Sequence, residues 1–206
     1  MDRDSFLHNL SKHIPEGSQL MIWDLIKDYN FVLTITRDRV TKNGDYRIPV
    51  RSYEPHKISV NGTLNPNAFL LTLLHEIAHM IAFEKYGKRI KPHGIQWKKT
   101  FTEIAKPFLS KKVWPEDVTA ILLDYFRNPK ASSAGHQQLA RVLRRYDLQG
   151  DIYLEDIPSG AVFSIKSQSG RWFLKGNQRR TRFLCKEIES GKEYTIHGMA
   201  KVLVKQ

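Results

Sequence analysis

An α+β fold is predicted for this chain of 206 residues: helices with a small three-stranded sheet, followed by a small antiparallel β tail. Three observations predict it. Apolar residues recur at three- and four-residue steps over 20–29 and again between 66 and 126, which is the helical period. Short β-branched and aromatic runs bounded by turn signals lie between them, at 31–61. From Ile152 onward the pattern changes to period two, with glycines between the runs. Composition allows such a fold, since 41% apolar and 26% charged residues suit a packed core and not a disordered chain.

Taken in order, MDRDSFLHNL carries Asp2 and Asp4 and lacks the apolar centre of a signal peptide, and no run of about 18 apolar residues follows. A soluble, cytoplasmic protein without membrane association is expected. After Gly17-Ser18, the spacing of Leu20, Ile22, Trp23, Ile26 and Tyr29 predicts an amphipathic helix. FVLTITRDRV and YRIPVRS flank Asn43-Gly44, a dipeptide that favours a hairpin between them, and KISVNG supplies a third strand. Asn65 as N-cap, Pro66 at the first helical position and Gly87 at the end define one long helix. A second helix is expected from about Gly94 to Ala105. A third runs from Pro115 to Phe126, with Val118, Ile121, Leu122 and Tyr125 on one face, and Asn128-Pro129 ends it.

The small, polar run NPKASSAG at 128–135 reads as a linker, which divides the chain into a domain at 1–127, a connection at 128–150 with a short helix around Leu139 to Tyr146, and a β-rich domain at 151–206. In that last domain AVFSI, RWFLK, TRFLCKEI and EYTIHG are the expected strands, with Gly170, Gly176 and Gly191 between them. No repeat is visible.

The formal charge of +12 predicts attraction to a polyanion. The excess lies toward the C-terminus: residues 1–126 hold 18 Lys/Arg and 14 Asp/Glu, whereas 127–206 hold 15 and 7. Basic residues interleaved with Trp172, Phe173, Phe183 and Tyr194 suit single-stranded nucleic acid, whose phosphates meet cations while its bases stack on rings. Arg171, Lys175, Arg179, Arg180 and Arg182 are the candidate contacts. Strand alternation places Arg180 and Arg182 on one face, Thr181 and Phe183 on the other. Arg141, Arg144 and Arg145, at helical spacing, read as a solvated face. The one cysteine, Cys185, excludes an intramolecular disulfide and reads as a small buried hydrophobe. His136 and His197 lack metal-ligand spacing and read as ordinary surface or loop residues.

The chemistry concentrates in LLTLLHEIAHMIAFEKYG, residues 70–87. Side chains four apart on a helix lie about 40° apart around its axis, so His75 and His79 project side by side and can share a metal ion. Glu76 lies about 100° further round, where its carboxylate reaches a metal-activated water as a general base without being a ligand. Two histidines and a glutamate buried in an apolar helix with nothing to satisfy them are costly. A catalytic zinc takes three protein ligands. The metzincin spacing fails, because position 85 is lysine. Glu103, from the following helix, and His93, in KPHGIQWKKTF, are the candidates for the third. His93 is better placed, since a turn after Gly87 brings its imidazole back over the first helix.

ISVNGTLNPNAFLLTLLHEIAHM followed by HGIQWKKTF resembles the SprT-like zinc metallopeptidase domain, the family of bacterial SprT and eukaryotic Spartan. The resemblance spans about residues 20–126 and rests on the HExxH and HGxxW elements together. It implies a zincin-like, minigluzincin-type catalytic domain in which His75, His79 and His93 bind Zn²⁺ and Glu76 is the catalytic base. It also implies structural roles for Gly94 and for Trp97, which would pack the second helix on the first. SprT-like proteins commonly add a four-cysteine zinc ribbon, and this chain departs from that pattern with its single thiol.

The expected function is therefore zinc-dependent peptide hydrolysis. The resemblance to Spartan-type proteins, which act on DNA–protein crosslinks, implies DNA-associated proteins as substrates, and the basic, aromatic pattern of the tail makes single-stranded DNA the expected partner. The alternatives are a nucleic-acid-binding module with a structural or inactive zinc site, or a zinc hydrolase of another substrate such as RNA. Tyr46, Arg47 and Tyr86 are available as oxyanion donors, and their spacing selects none of them.

Overall fold

The computed structural model describes residues 2–37, 42–130, 136–147, 151–168 and 170–205. The chain divides into two compact units, Met1–Asp147 and Leu148–Gln206. The end of FVLTITRDRV, residues 131–135 of the expected linker and residues 148–150 lie outside the described residues.

The first unit is mixed α/β in composition and built around one helix. It opens with α1 (Arg3–Ser11), which has no counterpart among the expected elements; Asp2 caps it by accepting from Ser5 N at 2.8 Å, and Phe6 and Leu10 are buried. Helix α2 (Ser18–Ile26) buries Ile22 and Ile26. Strands β1 (Phe31–Thr36), β2 (Gly44–Arg47) and β3 (His56–Asn61) form a three-stranded sheet in the order β1-β3-β2. The expected hairpin between β1 and β2 does not form: β3 lies between them, parallel to β1 and antiparallel to β2. The physical reason is burial. β3 carries Ile58 and Val60, both fully inside, whereas β1 and β2 are half exposed, and the most apolar strand takes the centre.

Helix α3 (Pro66–Tyr86) is the central element. Asn65 caps it by accepting from Ala68 N at 3.0 Å, Pro66 fills the first position where no N–H partner is needed, and Gly87 ends it at φ 78°. Its apolar residues point in nearly every direction, as in a helix enclosed on most sides. The sheet packs on one side through β2 and β3, and α4 (Ile95–Ser110) on another. Helix α4 runs beyond the expected end at Ala105 and carries Pro107 within its last turn. Helix α5 (Glu116–Tyr125) buries Val118, Leu122 and Tyr125.

The short helix expected in the 128–150 connection is α6 (Gln137–Arg144), and it belongs to the first unit's core through Leu139, Val142 and Leu143. The amide of Asn65 donates to Leu143 O at 2.9 Å and Asp147 Oδ1 at 2.6 Å, so the residue that caps α3 also ties down the end of α6. Arg145 pairs with Asp117, and His136 caps α6 through Leu139 N. His136 is therefore a capping residue.

The second unit is a six-stranded antiparallel sheet in the order β4-β9-β5-β6-β7-β8. Its strands are β4 (Ile152–Tyr153), β5 (Val162–Ile165), β6 (Trp172–Arg179), β7 (Arg182–Glu187), β8 (Glu193–His197) and β9 (Lys201–Val204). The four expected runs are β5 to β8, while β4 and β9 add two strands. Gly176 lies inside β6, where the register with β7 shifts, and not between strands. Leu154, Ile157, Phe163, Phe173, Phe183, Cys185, Ile196 and Val202 make a separate core. No described helix is long and apolar enough to cross a membrane.

Candidate metal centre

Three imidazoles converge beside α3. The Nε2 atoms of His75 and His93 are 3.0 Å apart, those of His79 and His93 3.0 Å, and those of His75 and His79 3.2 Å. His75 and His79 come from consecutive turns of α3. His93 arrives from the turn before α4, which Gly94 N closes onto Lys91 O at 2.9 Å. Pro92 occupies the second position of this turn, and His93, at φ 57°, the third, where glycine or asparagine is usual. A left-handed histidine is a strained placement, of the kind that persists where the surroundings hold it for a purpose. Gly94 permits the turn, since a Cβ there would stand 2.9 Å from Lys91 O. Glu103 is not part of the cluster, which among the described residues consists of the three histidines.

The triangle fits a zinc ion. Zn–N bonds of about 2.0–2.1 Å at tetrahedral angles place ligand nitrogens about 3.3 Å apart, within a few tenths of the observed edges. Protonation is suppressed as metal binding requires. Burial, then the neighbouring His79 and His93, pushes His75 down to about 2, and burial, then His93, pushes His79 down to about 4. Burial also lowers His93. Three neutral imidazoles facing a cleft match a catalytic zinc set, in contrast to the four closed ligands of a structural site.

That cleft has a volume of about 740 Å³ and is walled by β2 through Gly44, Tyr46 and Arg47, by Ile48 just after it, and by Lys88, Ile90 and Pro92 from the turn after α3. Glu76 lines it as well, buried at its base. Burial first, then Asp45, raises its carboxyl to about 8, with Lys42 opposing. Trp97 forms the floor: it is fully buried, with ring centroids 4.6, 5.2 and 4.7 Å from His75, His79 and His93. It packs α4 against α3, as expected.

Residues 42–119 match the model of the SprT-like family. That family is of the metallopeptidase type. No solved structure matches the chain. The SprT-like segment begins at β2 and ends in α5, so it contains all three histidines, Glu76, Trp97 and the β2 wall of the cleft.

Within that segment the structure adds residues that the motif does not name. Gly44 touches the Glu76 side chain, and Tyr46, His56 and Glu84 form a connected set next to His79. Their positions depend on strand order, and no spacing in the sequence signals them. Of the three oxyanion candidates, Tyr46 and Arg47 line the cleft and Tyr86 does not.

The basic residues of the second unit lie outside the matched segment, and the structure separates them. Lys175 is 5% exposed; its Nζ donates to Ile157 O at 2.5 Å and sits 4.0 Å from the centre of the Phe183 ring. It is a core residue, which corrects its reading as a nucleic-acid contact. Its signal was its parity, since it shares the inward face with Phe173. Arg171 pairs with Glu187 at 2.5 Å and lies over Phe173 and Tyr194. Arg179, Arg180 and Arg182 are exposed around the β6–β7 connection. The alternation expected for Arg180 and Thr181 fails because these two residues form the turn itself, with Arg180 at φ 55°. Phe173 and Phe183 are buried, so they are not open to stacking bases. Cys185 is fully buried, as expected.

Proposed function

We propose that the protein is a zinc-dependent endopeptidase acting on DNA-associated proteins. The observation that carries the peptidase reading is the convergence of His75, His79 and His93 on one point, with Glu76 in the same cleft. The match to the SprT-like family supports it.

Zinc supplies Lewis acidity there: it polarises a carbonyl and lowers the pKa of a water toward about 7. The three histidines would hold the ion as neutral donors. Glu76, neutral in the zinc-free cleft up to about pH 8, is drawn back to its carboxylate by a nearby dication. In that form it takes a proton from the attacking water and returns one to the leaving amine. Among the described residues β2 is an edge strand paired with β3 alone, so its outer row of backbone groups suits pairing with an extended chain. An extended segment laid along Gly44–Arg47 would border the cleft that the three histidines line. This favours an unfolded or loop segment of protein as substrate.

Nucleic-acid contact is assigned to Arg179, Arg180 and Arg182, three exposed residues close together in the chain, of which Arg182 also donates to Thr195 O at 3.2 Å. The supporting observation is charge, +12 overall with the excess toward the C-terminus. The test is cleavage of a DNA-binding protein with and without single-stranded DNA. Stimulation by DNA that disappears when these arginines become glutamine supports the assignment, and equal stimulation in that variant removes it.

A further inference from the structure

Glu84, His56, Tyr46 and His79 form a closed circuit that leaves α3 and returns to it. Glu84 Oε1 lies 2.8 Å from His56 Nε2, and His56 Nδ1 lies 2.9 Å from the Tyr46 hydroxyl. The Tyr46 ring then lies parallel to the His79 imidazole, with 4° between planes and 5.9 Å between centroids. A carboxylate only accepts, so His56 gives it the Nε2–H. In the tautomer that carries its hydrogen on Nε2, Nδ1 is an acceptor, and Tyr46 O–H donates to it. Both ring nitrogens of His56 and the Tyr46 hydroxyl are thereby engaged.

Such a set is costly to place indoors. His56 is 5% exposed, at the start of β3, with Phe83 edge-on to its ring at 5.6 Å. Buried imidazole and phenol groups are kept only where hydrogen bonds satisfy them. Apolar side chains would fasten β2 to α3 without that cost, as Ile58 and Val60 fasten β3. What the polar circuit adds is direction. It holds the Tyr46 hydroxyl in place, so that the ring stays against the parallel face of His79. The Nε2 lone pair lies in the imidazole plane, so a rotated His79 no longer aims at the point shared with His75 and His93.

Resting on the reading of those three histidines as metal ligands, we propose that Tyr46 is a positioning residue of the metal centre, itself held by the Glu84–His56 pair. Its role is to orient His79. Hydrogen-bonded partners behind metal-bound histidines typically contribute 10- to 100-fold in affinity, and Tyr46 does the same through ring stacking.

The test is zinc affinity, measured by chelator competition on the full chain, together with the visible spectrum of the Co²⁺ form, which reports ligand geometry. Tyr46→Leu is expected to weaken zinc binding by about 10- to 100-fold and to shift the Co²⁺ bands. Tyr46→Phe keeps the ring but loses its anchor, so a smaller loss is expected. Glu84 is half exposed, so Glu84→Ala should fold whatever happens to Tyr46→Leu; it is expected to weaken zinc, and Glu84→Gln, which retains an acceptor for His56, to restore it. Wild-type affinity and an unchanged Co²⁺ spectrum in Tyr46→Leu and Glu84→Ala overturn the proposal, even if the variants melt at lower temperature. Zinc affinity that survives His79→Ala overturns the underlying metal reading and this proposal with it.

Discussion

A Cβ at Gly44 would stand 2.5 Å from Oε1 of Glu76. β2 and the candidate general base thus approach so closely that a side chain at this position would have to displace Glu76 and Thr72. Gly44→Ala is expected to displace the Glu76 carboxylate, lower the hydrolysis rate by about 10-fold or more and leave zinc affinity within about 2-fold, with overpacking costing roughly 1–3 kcal/mol of stability. Zinc content, melting temperature and rate measured on one preparation check this. Unchanged hydrolysis in a folded Gly44→Ala variant contradicts it.

The roles of neighbouring positions on α3 should separate cleanly. His79→Ala removes one of three donors and is expected to weaken zinc by more than about 100-fold, beyond the effect of losing an outer partner. Glu76→Gln removes no donor and is expected to bind zinc like the wild type. Chelator competition distinguishes the two, and equal losses in both variants contradict the assignment of Glu76 as base and not ligand.

Much of the candidate metal centre was legible because helical spacing is a local code. His75, Glu76 and His79 need only the 3.6-residue period to be placed, and Asn65, Pro66 and Gly87 mark the helix that carries them. His93 was legible through a turn whose residues are adjacent in sequence. The wall of the cleft was not, because it depends on strand order. Asn43-Gly44 carries a hairpin signal, yet Gly44 is there for its contact with Glu76, and the burial of Ile58 and Val60 decided the sheet. His56 and Glu84 are remote in sequence and meet only when β3 docks on α3. In the second unit, period two identified strands correctly, but a +1 charge at Lys175 outweighed its parity with Phe173. Arg180-Thr181 turned without any glycine or Asn-Gly to announce it.

Protonation gives the zinc-free protein a distinctive pH profile. Folding raises Glu76 from an ordinary 4.5 to about 8, so between those values the folded state holds a proton that the unfolded chain has released, and stability falls as pH rises through the window. His75 and His79 act oppositely. Their folded values of about 2 and 4 lie below the ordinary 6.5, so their contribution is complete above 6.5 and is lost as pH falls toward 4. Glu76→Gln removes the first slope and keeps the second. Its melting temperature without zinc is expected to exceed the wild type by several degrees at pH 8, with the gap closing near pH 4.5. A gap that is constant with pH contradicts the burial of an ionisable Glu76.

The two kinds of basic residue in the second unit should respond differently. Replacing Arg179, Arg180 and Arg182 with glutamine is expected to weaken single-stranded DNA binding and to reduce the salt slope by about 0.7 for each phosphate that is no longer neutralised, with little change in melting temperature. Lys175→Ala removes a buried ammonium that satisfies Ile157 O and is expected to destabilise the unit by about 1–3 kcal/mol. Fluorescence anisotropy across a salt series, beside thermal unfolding, separates them. A DNA-binding defect in Lys175→Ala without loss of stability contradicts its placement in the core.

The most direct measurement is cleavage of a DNA-binding protein by the purified chain carrying one equivalent of zinc, with Glu76→Gln at equal zinc content beside it. Peptide-bond cleavage by the wild type is expected, abolished by chelation and restored by zinc, with a rate at least about 100-fold lower in Glu76→Gln. Cleavage that persists in Glu76→Gln, or none from the wild type at full zinc occupancy, contradicts a peptidase working through Glu76.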